Sequence, residues 1–168
     1  GLGDVYKRQV IYEAALNEYA PLGIEAAVTN TATVSGTGIT PVTAAETVNA
    51  EAAPNLAITK SVSPVPVTEN GTLTYTFRIQ NYGSVAATNT TGVVITDTFA
   101  PVLNNLTAAL NGTAWTAATD YTYNEATGTF SSTAGAITVP AATYTQDSTT
   151  GAWVVTPGES TLVITGTV

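Results

Sequence analysis

The sequence predicts an all-β chain folded as a Greek-key β-sandwich, and three observations carry the expectation. Thr, Ala and Val crowd its 168 residues, and β-branched residues alternate with small polar ones, as half-buried strands require. The runs are short and numerous. Turn signals separate them, with 14 Gly and 8 Pro in the chain, which suits a sandwich better than a barrel or a helical repeat.

Taken in order, the front of the chain offers three strand candidates: "VIYEAAL" from Val10, "AVTNTATV" from Ala27 and "TPVTAAETV" from Thr40. An Ala, Glu and Pro stretch follows, and residues 50–54 read as a linker. Beyond it the pattern is more regular: "LAITKSV", "TLTYTFRIQ", "VVITDTF", "LNNLTAAL", "TGTFSS", "AITV", "AWVV" and "STLVITGTV". Asn70-Gly71 and Asn111-Gly112 are the strongest turn signals, because Asn-Gly tolerates the positive φ of a tight hairpin. Asn81 to Gly83 and Pro157-Gly158 add two more. The segments Val10–Leu16 and Leu162–Val168 share an apolar, polar, apolar pattern, as the same strand of successive repeats would. On that reading residues 10–49 are the last strands of a preceding repeat, and residues 55–168 are a domain truncated at its C-terminus.

Residues 1–9 are set apart. Asp4 to Gln9, "DVYKRQ", is encoded by GAT GTG TAT AAG AGA CAG and resembles a transposase mosaic-end sequencing adapter translated in frame, so it is left out of fold and function reasoning. Lys60 and Arg78 then remain as the only basic residues. A net charge of -8 argues against nucleic acid and against an anionic membrane surface. No stretch reads as a membrane span. The absence of Cys and His removes disulfides, the usual catalytic triads and the common transition-metal ligand sets, and no cofactor is expected.

The period of two along a strand assigns side chains to faces. In "LAITKSV", Leu56, Ile58 and Val62 share their face with Lys60. In "VVITDTF", Val93, Ile95 and Phe99 share theirs with Asp97, and in "AVTNTATV", Val28, Ala32 and Val34 share theirs with Asn30. Arg78 behaves differently: it falls on the Thr face of "TLTYTFRIQ", opposite Leu73, Tyr75, Phe77 and Ile79, as a solvated cation does. Burying an unpaired ammonium costs several kcal/mol, so an inward lysine is neutralised, paired or consumed. A desolvated amine is a nucleophile, a desolvated carboxyl is a proton donor and a carboxamide is an electrophile. Lys60, Asp97 and Asn30 thus have the chemistry of an intramolecular isopeptide bond, with Asp97 polarising the Asn carbonyl. The plainer reading is a lysine whose stem lies on the core and whose head pairs with Asp97, beside an Asn satisfied by backbone groups.

The stretch "NLAITKSVSPVPVTENGTLTYTFRIQNYGSVAATNTTGVVITDTF", with the later "LVITGTV" and the earlier "VTNTATV", resembles the DUF11 (conserved repeat) domain of bacterial cell-surface proteins. The Lys-Ser-Val-Ser-Pro turn, the Tyr-Thr-Phe strand, Asn81 with Gly83, and Thr-Asp-Thr carry the likeness. It implies an immunoglobulin-like sandwich in tandem arrays on exported proteins, hence an extracellular place at a bacterial surface or in secretion, and a non-catalytic role. Its partners would be neighbouring repeats of the same chain, with host or surface glycans or proteins as further candidates. Related pilin and adhesin sandwiches carry a lysine on the first strand, an acid in the middle and an asparagine on the last. Lys60, Asp97 and Asn30 match those roles, but Asn30 precedes Lys60 and would belong to the preceding repeat. Alternatively residues 10–49 complete the sandwich as permuted strands, which requires the six residues Asn49 to Pro54, roughly 20 Å when extended, to span its end.

Other chemistry is weaker. Asp120, Glu125 and Asp147 lie in "DYTYNE" and "TQDSTTG", which read as polar loops with no calcium-loop spacing. Trp115, Tyr121, Tyr123 and Trp153 would form a carbohydrate-stacking platform if exposed, making residues 103–155 the binding loop of an adhesive module. Such aromatics more often pack in a core. The expectation is a structural repeat, stalk or spacer, with the adhesive or carbohydrate-binding module as alternative.

Overall fold

The computed structural model describes residues 10–21, 23 and 26–168. The adapter-like residues 1–9 lie outside that set. Among the described residues the chain is all-β, with one short 3-10 turn at Asn89–Thr91 and no helix long and apolar enough to cross a membrane.

Twelve strands follow in chain order: β1 (Ala27–Gly36), β2 (Ile39–Asn49), β3 (Leu56–Ser63), β4 (Thr72–Asn81), β5 (Thr96–Thr98), β6 (Asn104–Leu110), β7 (Thr113–Ala114), β8 (Tyr121–Asn124), β9 (Thr129–Ser132), β10 (Thr143–Gln146), β11 (Trp153–Thr156) and β12 (Gly158–Thr167). A five-stranded sheet, β3-β4-β12-β6-β7, and a three-stranded sheet, β5-β9-β8, supply the two faces of the core; β1-β2 and β10-β11 are separate two-stranded ribbons. Every ladder between these strands is antiparallel.

Alternation places the core. Along β4 the odd residues Leu73, Tyr75, Phe77 and Ile79 are buried and the Thr face is not. β12 repeats this with Ser160, Leu162 and Ile164, and its register sets Leu162 beside Phe77 and Ile164 beside Tyr75. Opposite them Phe99 and Phe130 are fully buried. The Phe99 ring lies 4.7 Å from Tyr75, 6.2 Å from Tyr123 and 6.4 Å from Phe130, and Tyr121 stacks on Phe130 at 5.3 Å. These offset and edge contacts suit aromatic quadrupoles and hold the layers together.

One buried junction locks the end of β4 where it meets the start of β12. Asn81 is fully buried: its Oδ1 accepts from the Asn55 and Gly83 amides at 2.9 Å each, and its Nδ2 donates to the Val85 and Pro140 carbonyls at 2.8 and 3.0 Å. Four bonds satisfy the carboxamide completely. Beside it, a Cβ on Gly83 would meet the Ala53 carbonyl oxygen at 2.1 Å, so the backbones approach too closely for any other residue.

Several sequence expectations are corrected. Val10–Leu16 forms no strand; Val10, Ile11, Tyr12 and Leu16 are exposed, because nothing pairs with the backbone of this segment. "AITV" is likewise not a strand: one bridge, Ala87 to Val139, ties it down, yet Ile137 and Val139 are fully buried. "VVITDTF" is strand over Thr96–Thr98 only. Asn111-Gly112 makes the expected two-residue hairpin between β6 and β7, with φ of 50° and 81°. Asn70-Gly71 instead closes a turn back to Thr68, at the end of the longer connection from β3 to β4.

Candidate functional site

The site starts from two sheet edges. β3 ends the five-stranded sheet, pairing only with β4, and β5 ends the three-stranded sheet, pairing only with β9. Lys60 stands beside Phe77 in the ladder, and Asp97 beside Phe130. Both partners point into the core, so parity assigned Lys60 and Asp97 to inner faces as the sequence predicts.

Across the gap between those edges the Lys60 ammonium pairs with Asp97 Oδ2. The other carboxylate oxygen, Oδ1, accepts from the Thr98 amide at 2.9 Å, which fixes the carboxylate plane. Nζ lies 4.8 Å from the Tyr75 ring centroid, 5.3 Å from Phe99 and 5.5 Å from Phe77. Three aromatic faces therefore share the cation with one carboxylate. The lysine side chain is 39% exposed and the aspartate 18%, so the pair sits at the rim of the core. The observed pairing is the plainer of the two readings: the stem lies on the core and the head reaches the acid.

Asn30 is elsewhere. It lies on β1 opposite Glu46 of β2, exposed, and its Nδ2 donates to the Tyr12 hydroxyl. The β1-β2 ribbon forms no ladder with either core sheet, so the permuted-strand arrangement that would bring Asn30 to Lys60 is not the one observed. Its apolar face, Val28, Ala32 and Val34 of β1 with Val42, Ala44 and Val48 of β2, is exposed throughout. Tyr12 and Leu16 cross its base, where they line a cavity of about 720 Å³ with Val28, Asn30, Glu46 and Val48.

The remaining candidates resolve into structural roles. Tyr121 is buried, and burial pushes its phenol above the ordinary value of 10.0. The Tyr123 hydroxyl donates to the Leu103 carbonyl and accepts from the Leu103 amide, both at 2.9 Å, while Trp115 packs against the core. These three aromatics are not the exposed platform the adhesive reading needs. Residues 103–155 are not one loop either, since they contribute β6 to β11. Asp120 accepts the Thr116 amide at 2.7 Å. Asp147 accepts the Thr149 and Thr150 amides and the Thr150 hydroxyl, and these bonds hold its carboxyl below the ordinary 3.8. Arg78 is on the Thr face as expected, but forks onto Glu159 of β12, with Nε to Oε2 at 3.0 Å. Among the described residues no group of three acids is placed to hold a metal ion.

Sequence reasoning missed Asn81, which read as a turn residue; its signal was the polar residue ending an alternating strand, on the parity of Phe77 and Ile79.

No family model, no curated protein and no solved structure matches the chain. The fold and the edge site define a β-sandwich with one cation held between its two sheets.

Proposed function

We propose that this chain is a non-catalytic structural repeat, a stalk or spacer, of a bacterial surface or secreted protein, as its resemblance to the DUF11 (conserved repeat) domain implies. The observation that carries the reading is the Lys60–Asp97 pair, set by parity on two facing strands and placed where the edge strands β3 and β5 of the two sheets meet. That placement suits a role within the chain's own architecture: the polar chemistry joins two layers of the fold. The burial of Tyr121 weighs against the glycan-binding alternative.

The same pair supports an isopeptide crosslink to an asparagine of a neighbouring repeat. The Lys60 amine, once deprotonated, attacks the carboxamide carbon; the new C–N bond replaces the old one, and ammonia leaves with a proton passed through Asp97. Intact mass on a chain that includes the following repeat tests the crosslink. The expected result is a loss of one ammonia, restored in Lys60→Ala and Asp97→Ala. A wild-type mass at the full sum of its residues would remove the crosslink. High resistance to protease without affinity for glycans is expected of the spacer itself, and a glycan-array signal abolished by Trp153→Ala would overturn that role.

A further inference from the structure

Two surfaces of this chain are built like core and are left largely open, the second with only its base crossed by Tyr12 and Leu16. The first is the side of the sandwich where β3 and β5 end their sheets. Leu56, Ile58 and Val62 lie on the core face of β3 by register, yet Ile58 is 54% exposed, because the three-stranded sheet stops at β5 and does not reach over them. The outer edge of β5 is open too. The Ile95 carbonyl and the Phe99 amide are spent on Ser132 and Gly128, so alternation turns the backbone of Thr96 and Thr98 away from β9; the Thr98 amide is taken by Asp97 Oδ1, and the Thr96 amide with the Thr96 and Thr98 carbonyls faces a new strand. An unpaired edge above an uncovered apolar stripe has the shape of a missing strand.

The second surface is the β1-β2 hairpin. Its ten- and eleven-residue strands carry apolar residues on one face and Thr on the other, with Val34 66% exposed on the apolar side. The two surfaces also match in polarity. The hairpin's apolar face carries one polar pair, Asn30 beside Glu46, and the open side carries one cation, Lys60. Arg78 lies on the opposite face of its sheet, so among the described residues Lys60 is the cation on this side; it is paired with Asp97 but its side chain is 39% exposed, which lets a second carboxylate from an incoming strand share it.

We propose that the open side of the sandwich is a docking site for the β1-β2 hairpin of a second copy of this chain. The hairpin lays Val28, Val34, Val42 and Val48 on Leu56, Ile58 and Val62, continues the three-stranded sheet past β5, and brings Glu46 toward Lys60. Each copy gives one surface and receives on the other, so the contact is heterologous and propagates head to tail. This goes beyond the spacer role and does not need the crosslink.

Sedimentation equilibrium on the full chain tests it. The weight-average mass is expected to rise with concentration past that of a dimer. Replacing both Val34 and Val42 by Glu disables the hairpin, and Ile58→Glu disables the open side; all three residues are exposed, so the variants keep the wild-type circular dichroism. Each variant alone is expected to stay monomeric. Mixed in equal amounts they are expected to form one dimer, twice the monomer mass, and to stop there, since only one intact pair of surfaces remains. A wild-type chain that stays monomeric at every concentration, its open side covered by its own hairpin or by an unrelated partner, overturns the proposal. So does a mixture that stays monomeric, and so does Ile58→Glu forming a dimer on its own, the mark of a symmetric hairpin-to-hairpin contact.

Discussion

The hairpin β1-β2 and the central pair β4-β12 are written in the same binary code. Both alternate Val, Ile or Leu with Thr over about ten residues, and both are antiparallel in continuous register over most of their length. In β4-β12 the apolar positions are buried to a few per cent, because Phe99, Phe130 and Leu103 lie opposite them. In the hairpin none is buried. Alternation says which side chains share a face; it does not say whether a second layer arrives to cover that face. The buried pair owes its stability to that second layer, and the hairpin to its ladder and to whatever docks on it.

Substitutions measure how deep that difference runs. Phe99→Ala removes the ring that touches both sheets and is expected to cost about 3–5 kcal/mol in denaturant unfolding, whereas Val34→Ala in the hairpin should change the same transition by about 0.5 kcal/mol or less. A comparable loss from Val34→Ala would mean that the hairpin already packs on the sandwich. Next in size, Asn81→Ala leaves two amides and two carbonyls without partners at a buried junction, and about 3 kcal/mol of destabilisation is expected by the same measurement. Asn81→Asp should be damaging as well, since a carboxylate cannot donate to Val85 and Pro140.

Smaller effects belong to the rim. Lys60→Met keeps the stem on the rings and removes the ion pair, and at this exposure the expected cost is about 0–1 kcal/mol, shrinking further in high salt. A larger loss would show that the cation sits in a drier place than the open side suggests. The smallest effect concerns the tip of the β10-β11 ribbon. The Asp147 carboxyl titrates below its unfolded value of 3.8, so its support for that turn is fully present above pH 3.8 and is lost as the pH falls through the depressed folded value. Amide resonances of Thr149 and Thr150 should move together in that acid range while those of β4 and β12 stay in place. Joint movement of all of them would mean that the ribbon and the core unfold as one.

How much of this was legible depends on the physics each residue obeys. Lys60 and Asp97 were placed by parity alone, and the structure joins them, because a two-residue period is a local property of any strand. That β3 and β5 are edges was not legible, since strand order is set by contacts between distant segments. Tyr121 and Tyr123 pack on the core, as such aromatics more often do, but the strand that carries them was hidden by its polar residues. Asp120, Asn124 and Glu125 made the stretch read as a polar loop, while the two rings went to the core. Val10–Leu16 failed the other way, with a strand-like pattern and no edge to join. Asn30 shared its parity with valines, which identified its face and not the sheet it would belong to.

The position of β12 has a consequence for how such a chain comes into being. It is the last in chain order of the described strands, made after every strand it joins, yet it lies between β4 and β6, which have no direct ladder with each other. Until residues 158–167 emerge, the larger sheet exists only as two detached ribbons, β3-β4 and β6-β7, each with its core face bare. The molecule therefore closes all at once and late, and a nascent chain halted before Gly158 would display the aromatic interior that the finished sandwich hides.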